Sequence, residues 1–320
     1  MKFSLFILLV LVLVLVFLAG CTTTQTSTQY SNDVITQSNY VLTRSNPFTD
    51  STTSIRFYLR NLGRDTVPRA YVDFFDLKGL GINSLTCQGG SQIDDHTCEF
   101  TNIQSLDSRY VSLTMSTPSE NLIKAATSLQ ISYKLGFDYS GFRRIVIPVI
   151  DSMQETEPQN KYVIGDASVG PIAVEFEPPI GAEKKQDDQT IKEYWGVKGD
   201  SFELRMNFKQ AVETNVDTNI TGSDIKLKLQ GLNIDSKSKC DFNSGLTAKK
   251  SITVGQENTP LTCSFIAKSF SGPEASTVVD VSFSYTFEKI KTETITITPR
   301  LNSETESSSS EGGSSSNSGV

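Results

Sequence analysis

Strict alternation of apolar and polar residues is the feature that most limits what this chain can fold into. SIRFYLRNLG places Ile55, Phe57 and Leu59 on one face, and LQISYKLGF does the same with Ile131, Tyr133, Leu135 and Phe137. In the second half, SFELRMNF aligns Phe202, Leu204, Met206 and Phe208, while DVSFSYTF aligns Val281, Phe283, Tyr285 and Phe287. Successive side chains on a strand point to opposite faces, so such runs bury one face and wet the other. The pattern predicts half-buried antiparallel strands and an all-β class. Beyond the first twenty residues the best helical pattern is SENLIKAATSLQ from Ser119, which is short and reads as one or two turns between strands.

The alternating runs recur. SIRFYL at Ser54 matches SFELRM at Ser201, KGLGIN at Lys78 matches QGLNID at Gln230, and CEF at Cys98 matches CDF at Cys240. Matches kept in one order, with drifting offsets, read as a duplicated unit with altered loops. The offset falls from 152 (230 − 78) to 142 (240 − 98), so the first copy carries ten more residues between Ile82 and Cys98. That stretch, TCQGGSQIDDHTCEF from Thr86, holds the chain's one histidine, His96, beside Asp94 and Asp95. It reads as an insertion outside the core. The expected organisation is a tether over 21–39, one sandwich over 40–150, a polar linker over 151–170 and a second sandwich over 171–300. Pro178 and Pro179 should stop the strand PIAVEFE, since proline withholds a ladder donor. IGAEKKQDDQTIKEYWG then reads as a long exposed loop.

The two ends differ in character from the middle. Lys2 is the only charge before Asp33, and Phe3 to Ala19 is apolar except for Ser4, which describes a secretory leader. Its close, LAGC at Leu18 to Cys21, resembles a lipobox; the resemblance implies cleavage after residue 20 and lipid on Cys21. An uncleaved hydrophobic leader helix in the membrane fits the same run. Either way the remainder faces outward from a cell membrane. The last segment, 301–320, is Ser/Gly-rich and cannot offset its ordering entropy, so it reads as a disordered tail. Without Lys2 the chain has 28 basic and 36 acidic residues, a net charge of −8 (28 − 36). No Lys/Arg cluster stands out, which argues against nucleic acid as a partner.

IRFYLRNLGRDTV, with Asn61 and Gly63 closing a strand before YVDFFD, resembles the cell-adhesion-related (CARDB-type) domain of bacterial and archaeal surface proteins. The resemblance covers about thirty residues, flagged by the turn that Gly63 permits and Asn61 bonds. It implies immunoglobulin-like sandwiches on a cell surface and carries over no catalytic or ligand residue. The second copy departs from it, with Phe208 and Lys209 after Asn207 and no glycine at the turn.

Of five cysteines, Cys21 belongs to the leader's close and each copy keeps two. An exported chain with an even split favours the bonds Cys87–Cys98 and Cys240–Cys263. Each closes a loop that stabilises by roughly 3 kcal/mol on chain-entropy grounds. The first is expected to staple the inserted loop and the second to tie two strands. With Cys98 so used, neither a zinc site nor a cysteine–histidine nucleophile fits the insertion. No phosphate-cradling glycine loop or serine elbow appears. Glu175 and Glu177 share one strand face, a solvated one, although paired carboxylates leave a hydrolase using acidic residues open. Tyr194 and Trp195 are a weak candidate for a ligand platform. NIT at Asn219 is a possible glycosylation acceptor.

The resulting expectation is a membrane-anchored surface lipoprotein of two tandem Ig-like sandwiches. It has no enzymatic activity, metal or cofactor, and a structural or adhesion-like role toward a protein or cell-envelope partner. The alternative is a polysaccharide- or solute-binding subunit of an envelope complex.

Overall fold

Apolar alternation does organise this chain, but its two longest runs extend three times further than the windows that reveal them. A computed structural model describes residues 31–151, 158, 162–179, 182–186, 189–193, 195–255 and 259–300. The leader over 1–20, with the helix expected there, Cys21, the tether up to residue 30, Tyr194 and the tail over 301–320 lie outside the described residues. No described helix is long and apolar enough to cross a membrane.

The first half supplies β1 (Ile35–Leu42), β2 (Thr52–Asn61), β3 (Val67–Asp76), β4 (Gly81–Gln88), β5 (Ser91–Gln92), β6 (Thr97–Ile103), β7 (Ser108–Ser116) and β8 (Thr127–Ile150). Short pieces follow: β9 (Val163–Ala167), β10 (Ile172–Glu177), β11 (Ala182–Gln186), β12 (Gln189–Glu193) and β13 (Gly196–Val197). Then come β14 (Ser201–Gln210), β15 (Thr218–Ile220), β16 (Ile225–Gln230), β17 (Leu232–Ile234), β18 (Ile252–Val254), β19 (Thr259–Ala267) and β20 (Glu274–Ile297). A single 3-10 turn at Gly222–Asp224 is the only helix among the described residues. The segment from Ser119 makes a turn, with the Leu122 N–H on the Ser119 carbonyl, rather than a helix.

Two four-stranded sheets repeat one order, β1-β2-β7-β4 and β10-β14-β19-β17. Both pack on a third, eight-stranded sheet whose main path is β16-β20-β8-β3-β6-β5. Phe57 of β2 meets Phe74 of β3 and Tyr133 of β8, at centroid distances of 6.4 and 5.5 Å. Phe208 of β14 stands edge-on to Phe283 of β20 at 5.4 Å. The architecture is therefore all-β and sandwich-like, with inward faces of Ile, Leu, Val and Phe in one core.

The halves are not separate sandwiches. β8 and β20 pair antiparallel along all 24 residues, from Thr127 opposite Ile297 to Ile150 opposite Glu274. Each long strand begins in its own half and ends in the sheet of the other. Ser31 onward accordingly groups as one unit. Of the expected linker over 151–170, Val163–Ala167 is β9, which pairs with β8. The expected loop after Pro179 contains the hairpin β11–β12, while β10 does stop at Glu177 before the proline pair. The physical reason is visible in DYSGFRRIV, where Asp138, Ser140 and Gly141 have the composition of a turn. Gly141 lies opposite Phe283, and a Cβ there would come within 2.4 Å of that ring. Gly136 likewise makes room for Tyr71, at 2.3 Å. These glycines admit cross-strand aromatics and do not bend the chain.

Asn61 is buried at the β2–β3 turn, its Oδ1 accepting the Gly63 N–H at 2.9 Å. Its Nδ2 donates to the carbonyls of Asp65 and Ile103, at 2.9 Å each. Glycine is needed at 63 for closeness: a Cβ would meet Val34 at 2.8 Å.

In the first half, β20 is a sheet edge. Its inward positions after Phe287 are Lys289, Lys291 and Glu293, before Ile295 and Ile297 resume the core. Inward charges at an edge discourage an added strand. Asn215 blocks the same edge, its side-chain amide exchanging bonds of 3.0 and 3.2 Å with the backbone of Ile290. Asp33 faces this cluster, and burial raises its carboxyl pKa despite the opposing pull of Lys289 and Lys291.

Two outcomes follow. Gly141→Val forces Phe283 aside and should cost about 1–3 kcal/mol in denaturant unfolding, with both halves melting in one transition. Asp33 binds its proton more readily folded than unfolded. Its contribution is complete below the ordinary value of 3.8 and is lost as pH rises through the higher folded value. Asp33→Asn should therefore raise stability at pH 7, with the gain vanishing toward pH 3 in urea titrations.

Candidate functional site

The two long strands meet at mid-length over an aromatic seam. Tyr139 stands opposite Tyr285, and Phe137 opposite Phe287, with ring centroids 5.9 and 5.4 Å apart. All four rings point into the core. Buried phenols need partners, and the segment joining the halves provides them. Tyr139 donates to the Val169 carbonyl at 2.7 Å, and Tyr285 accepts the Ile172 N–H at 3.1 Å. Burial pushes both phenols above the ordinary tyrosine range.

Period 2 then dictates what faces outward at the seam: Asp138 and Ser140 from β8, Ser284 and Thr286 from β20. Ser140 and Ser284 share a hydrogen bond of 2.9 Å, and Thr286 donates to Asp138 at 2.6 Å. These residues form the floor of a groove of about 540 Å³. Pro68 and Glu288 bound it toward the first half, and Asp217, Asn219, Thr221 and Asp224 toward the second. Glu288 is compensated, since it accepts from Tyr71 and lies 3.3 Å from Lys134. Burial, then this bond to Glu288, raises the Tyr71 phenol pKa. Asp217 and Asp224 have no side-chain partner among the described residues. Among the described residues no lysine or arginine lines the groove. It offers carboxylate and hydroxyl oxygens as acceptors, with hydroxyls and one amide as donors.

The stretch from Thr86 to Phe100 lies elsewhere and plays another part. Cys87 sits on β4 of the first four-stranded sheet, and Cys98, fully buried, on β6 of the eight-stranded one. Their bond, with Cα atoms 5.5 Å apart, therefore joins the two opposing sheets. This corrects the expected loop staple: the additional residues build β5 and the crossing between sheets. The Cys240–Cys263 bond instead fastens the segment after β17 to β19, where the two residues form an isolated antiparallel bridge. His96 is half-exposed, with Nδ1 2.8 Å from Asp73 and 3.5 Å from Asp94. The His96 N–H holds the Asp94 carboxyl below its ordinary range. Asp95 is exposed. Among the described residues no group of three or more His, Cys, Asp or Glu could hold a metal ion.

Trp195 is half-buried just before β13, which pairs with the far end of β8 at Val149 and Ile150. It does not line the groove. Glu175 and Glu177 are exposed on β10 and partnered across to β14, by Lys209 and by Asn207 at 2.5 Å. Of the residues singled out in the sequence, only Asn219 lies in the groove wall. Alternation through Asp138, Ser140, Ser284 and Thr286 marks these four as outward-facing, but their meeting in one groove depends on the β8–β20 pairing.

No protein-family model matches the chain, and no curated protein matches it significantly.

Removing the inter-sheet bond, by Cys98→Ala with Cys87→Ala, should cost about 3 kcal/mol in urea unfolding. Reductant should then have no further effect through that pair.

Proposed function

We propose that the protein is an exported, membrane-anchored surface lipoprotein that acts as a structural or binding module and carries out no reaction. The observation that carries the reading is the bond between Cys87 and Cys98, which links the edge strand β4 of one sheet to β6 of the opposing one. A bond so placed supports export, because thiols in reducing compartments stay unpaired. It also supports kinship with immunoglobulin-like domains, in which a disulfide between the sheets is a recurring device. The apolar leader and LAGC close at Leu18–Cys21 support lipid attachment at Cys21. The partner in this reading is a protein or another component of the cell envelope. A body whose halves share one ladder suits that role, since it holds a recognition surface in fixed relation to its anchor.

Fractionation of the source cells tests this. Membrane-bound protein with four oxidised cysteines, cleavable by external protease and beginning at lipid-modified Cys21 by intact mass, is the expected result. Recovery in the cytosol with reduced thiols would overturn it. Retention of Met1–Gly20 would overturn the lipid anchor in favour of a hydrophobic span.

A further inference from the structure

We propose that the groove over the seam seats the protein's own glycan, attached at Asn219. The inference rests on the export reading, since transfer of lipid-linked oligosaccharides takes place outside the cytoplasm.

Asn219-Ile220-Thr221 is the only Asn-x-Ser/Thr triplet in the whole chain, apart from any with proline at x. Alternation on β15 buries Thr218 and Ile220 and turns Asn219 outward, and Thr221 after it is also exposed. The Asn219 Oδ1 accepts the Thr253 hydroxyl at 2.7 Å, which fixes the amide plane. Nδ2 has no partner among the described residues and is the atom to be glycosylated. In the reaction a bond forms between Nδ2 and the anomeric carbon of the donor's first sugar. The bond from that carbon to the donor's lipid-linked phosphate breaks, the phosphate leaves with the electron pair, and the amide's proton passes to a base.

The attachment point is itself part of the groove wall, so the first sugars begin inside it. Its volume of about 540 Å³ falls within the usual range of small-molecule sites, roughly 300–1,000 Å³. The lining suits a neutral sugar better than an anionic or apolar ligand. Asp217 and Asp224, which have no side-chain partner among the described residues, can accept sugar hydroxyls, while Ser140 and Ser284 can both donate and accept. The floor belongs equally to β8 and β20, so a seated glycan would touch both halves at their junction. Covalent linkage makes occupancy intramolecular and compensates for weak individual contacts.

The test uses full-length protein purified from its source membranes, with the Asn219 peptide weighed before and after glycan release. A glycan mass on Asn219 is expected, lost in Asn219→Gln and Thr221→Ala and retained in Thr221→Ser. Releasing it should cost amide-exchange protection over Asp217–Asp224 and Ser284–Thr286. Glycan present but no change in exchange on release would overturn the seat. Bare Asn219 on disulfide-bonded membrane protein would overturn the glycan and leave export standing. Bare Asn219 on reduced, cytosolic protein would overturn both.

Discussion

Everything in the described body hangs on the ladder between β8 and β20. Twenty-four consecutive cross-strand pairs make the two halves one hydrogen-bonded object. The alternation along these strands sets both the core beneath and the groove above. Inward go Phe137, Tyr139, Phe283, Tyr285 and Phe287; outward go Asp138, Ser140, Ser284 and Thr286. A slip of one residue would exchange these faces and place carboxylates in the core. Aromatic side chains directly opposite each other resist such a slip. So do the Tyr139 and Tyr285 hydroxyl bonds to the chain between the halves.

The two halves repeat an architecture but spend their cysteines differently. In the first, a disulfide links the edge strand β4 to β6 of the opposing sheet. In the second, it fastens a peripheral segment against β19. Removal of either constraint releases chain entropy in the unfolded state. Only the first holds opposing sheets together, and so only it adds a covalent link across the layer that hydrophobic packing already joins. The second half relies for that on packing such as Phe208 against Phe283.

How much was legible before the structure depended on the range over which a pattern acts. Alternation is local, so the strands around Phe57, Tyr133, Met206 and Phe283 could be read directly, as could the stop at Pro178. The Asn61 turn was legible as a turn, although its glycine serves close contact with Val34 and not unusual dihedrals. Strand pairing is not local. Nothing near Gly141 reveals that Phe283 lies across from it, so the room this glycine gives a ring cannot be read locally. The seam groove was hidden for the same reason: its floor joins residues 138–140 to 284–286, and its importance appears only once those segments are neighbours. The Thr86–Phe100 stretch misled in the opposite sense, because length differences between copies suggest a loop even where the added residues build a short edge strand and carry the chain from one sheet to the other.

The sharing of β8 and β20 also bears on how such a chain can be rearranged. In a string of independent modules, any cut between modules leaves each piece with complete sheets, and recombination can transplant one alone. Here no cut near the middle does so. A fragment ending at Ile150 would keep a strand whose second half has lost its neighbour, and one beginning at Ile172 would keep β20 paired only at Val278–Phe283, with its last fourteen residues (297 − 283) unpaired. The pair is therefore the heritable unit: it can be lost, duplicated or moved only whole.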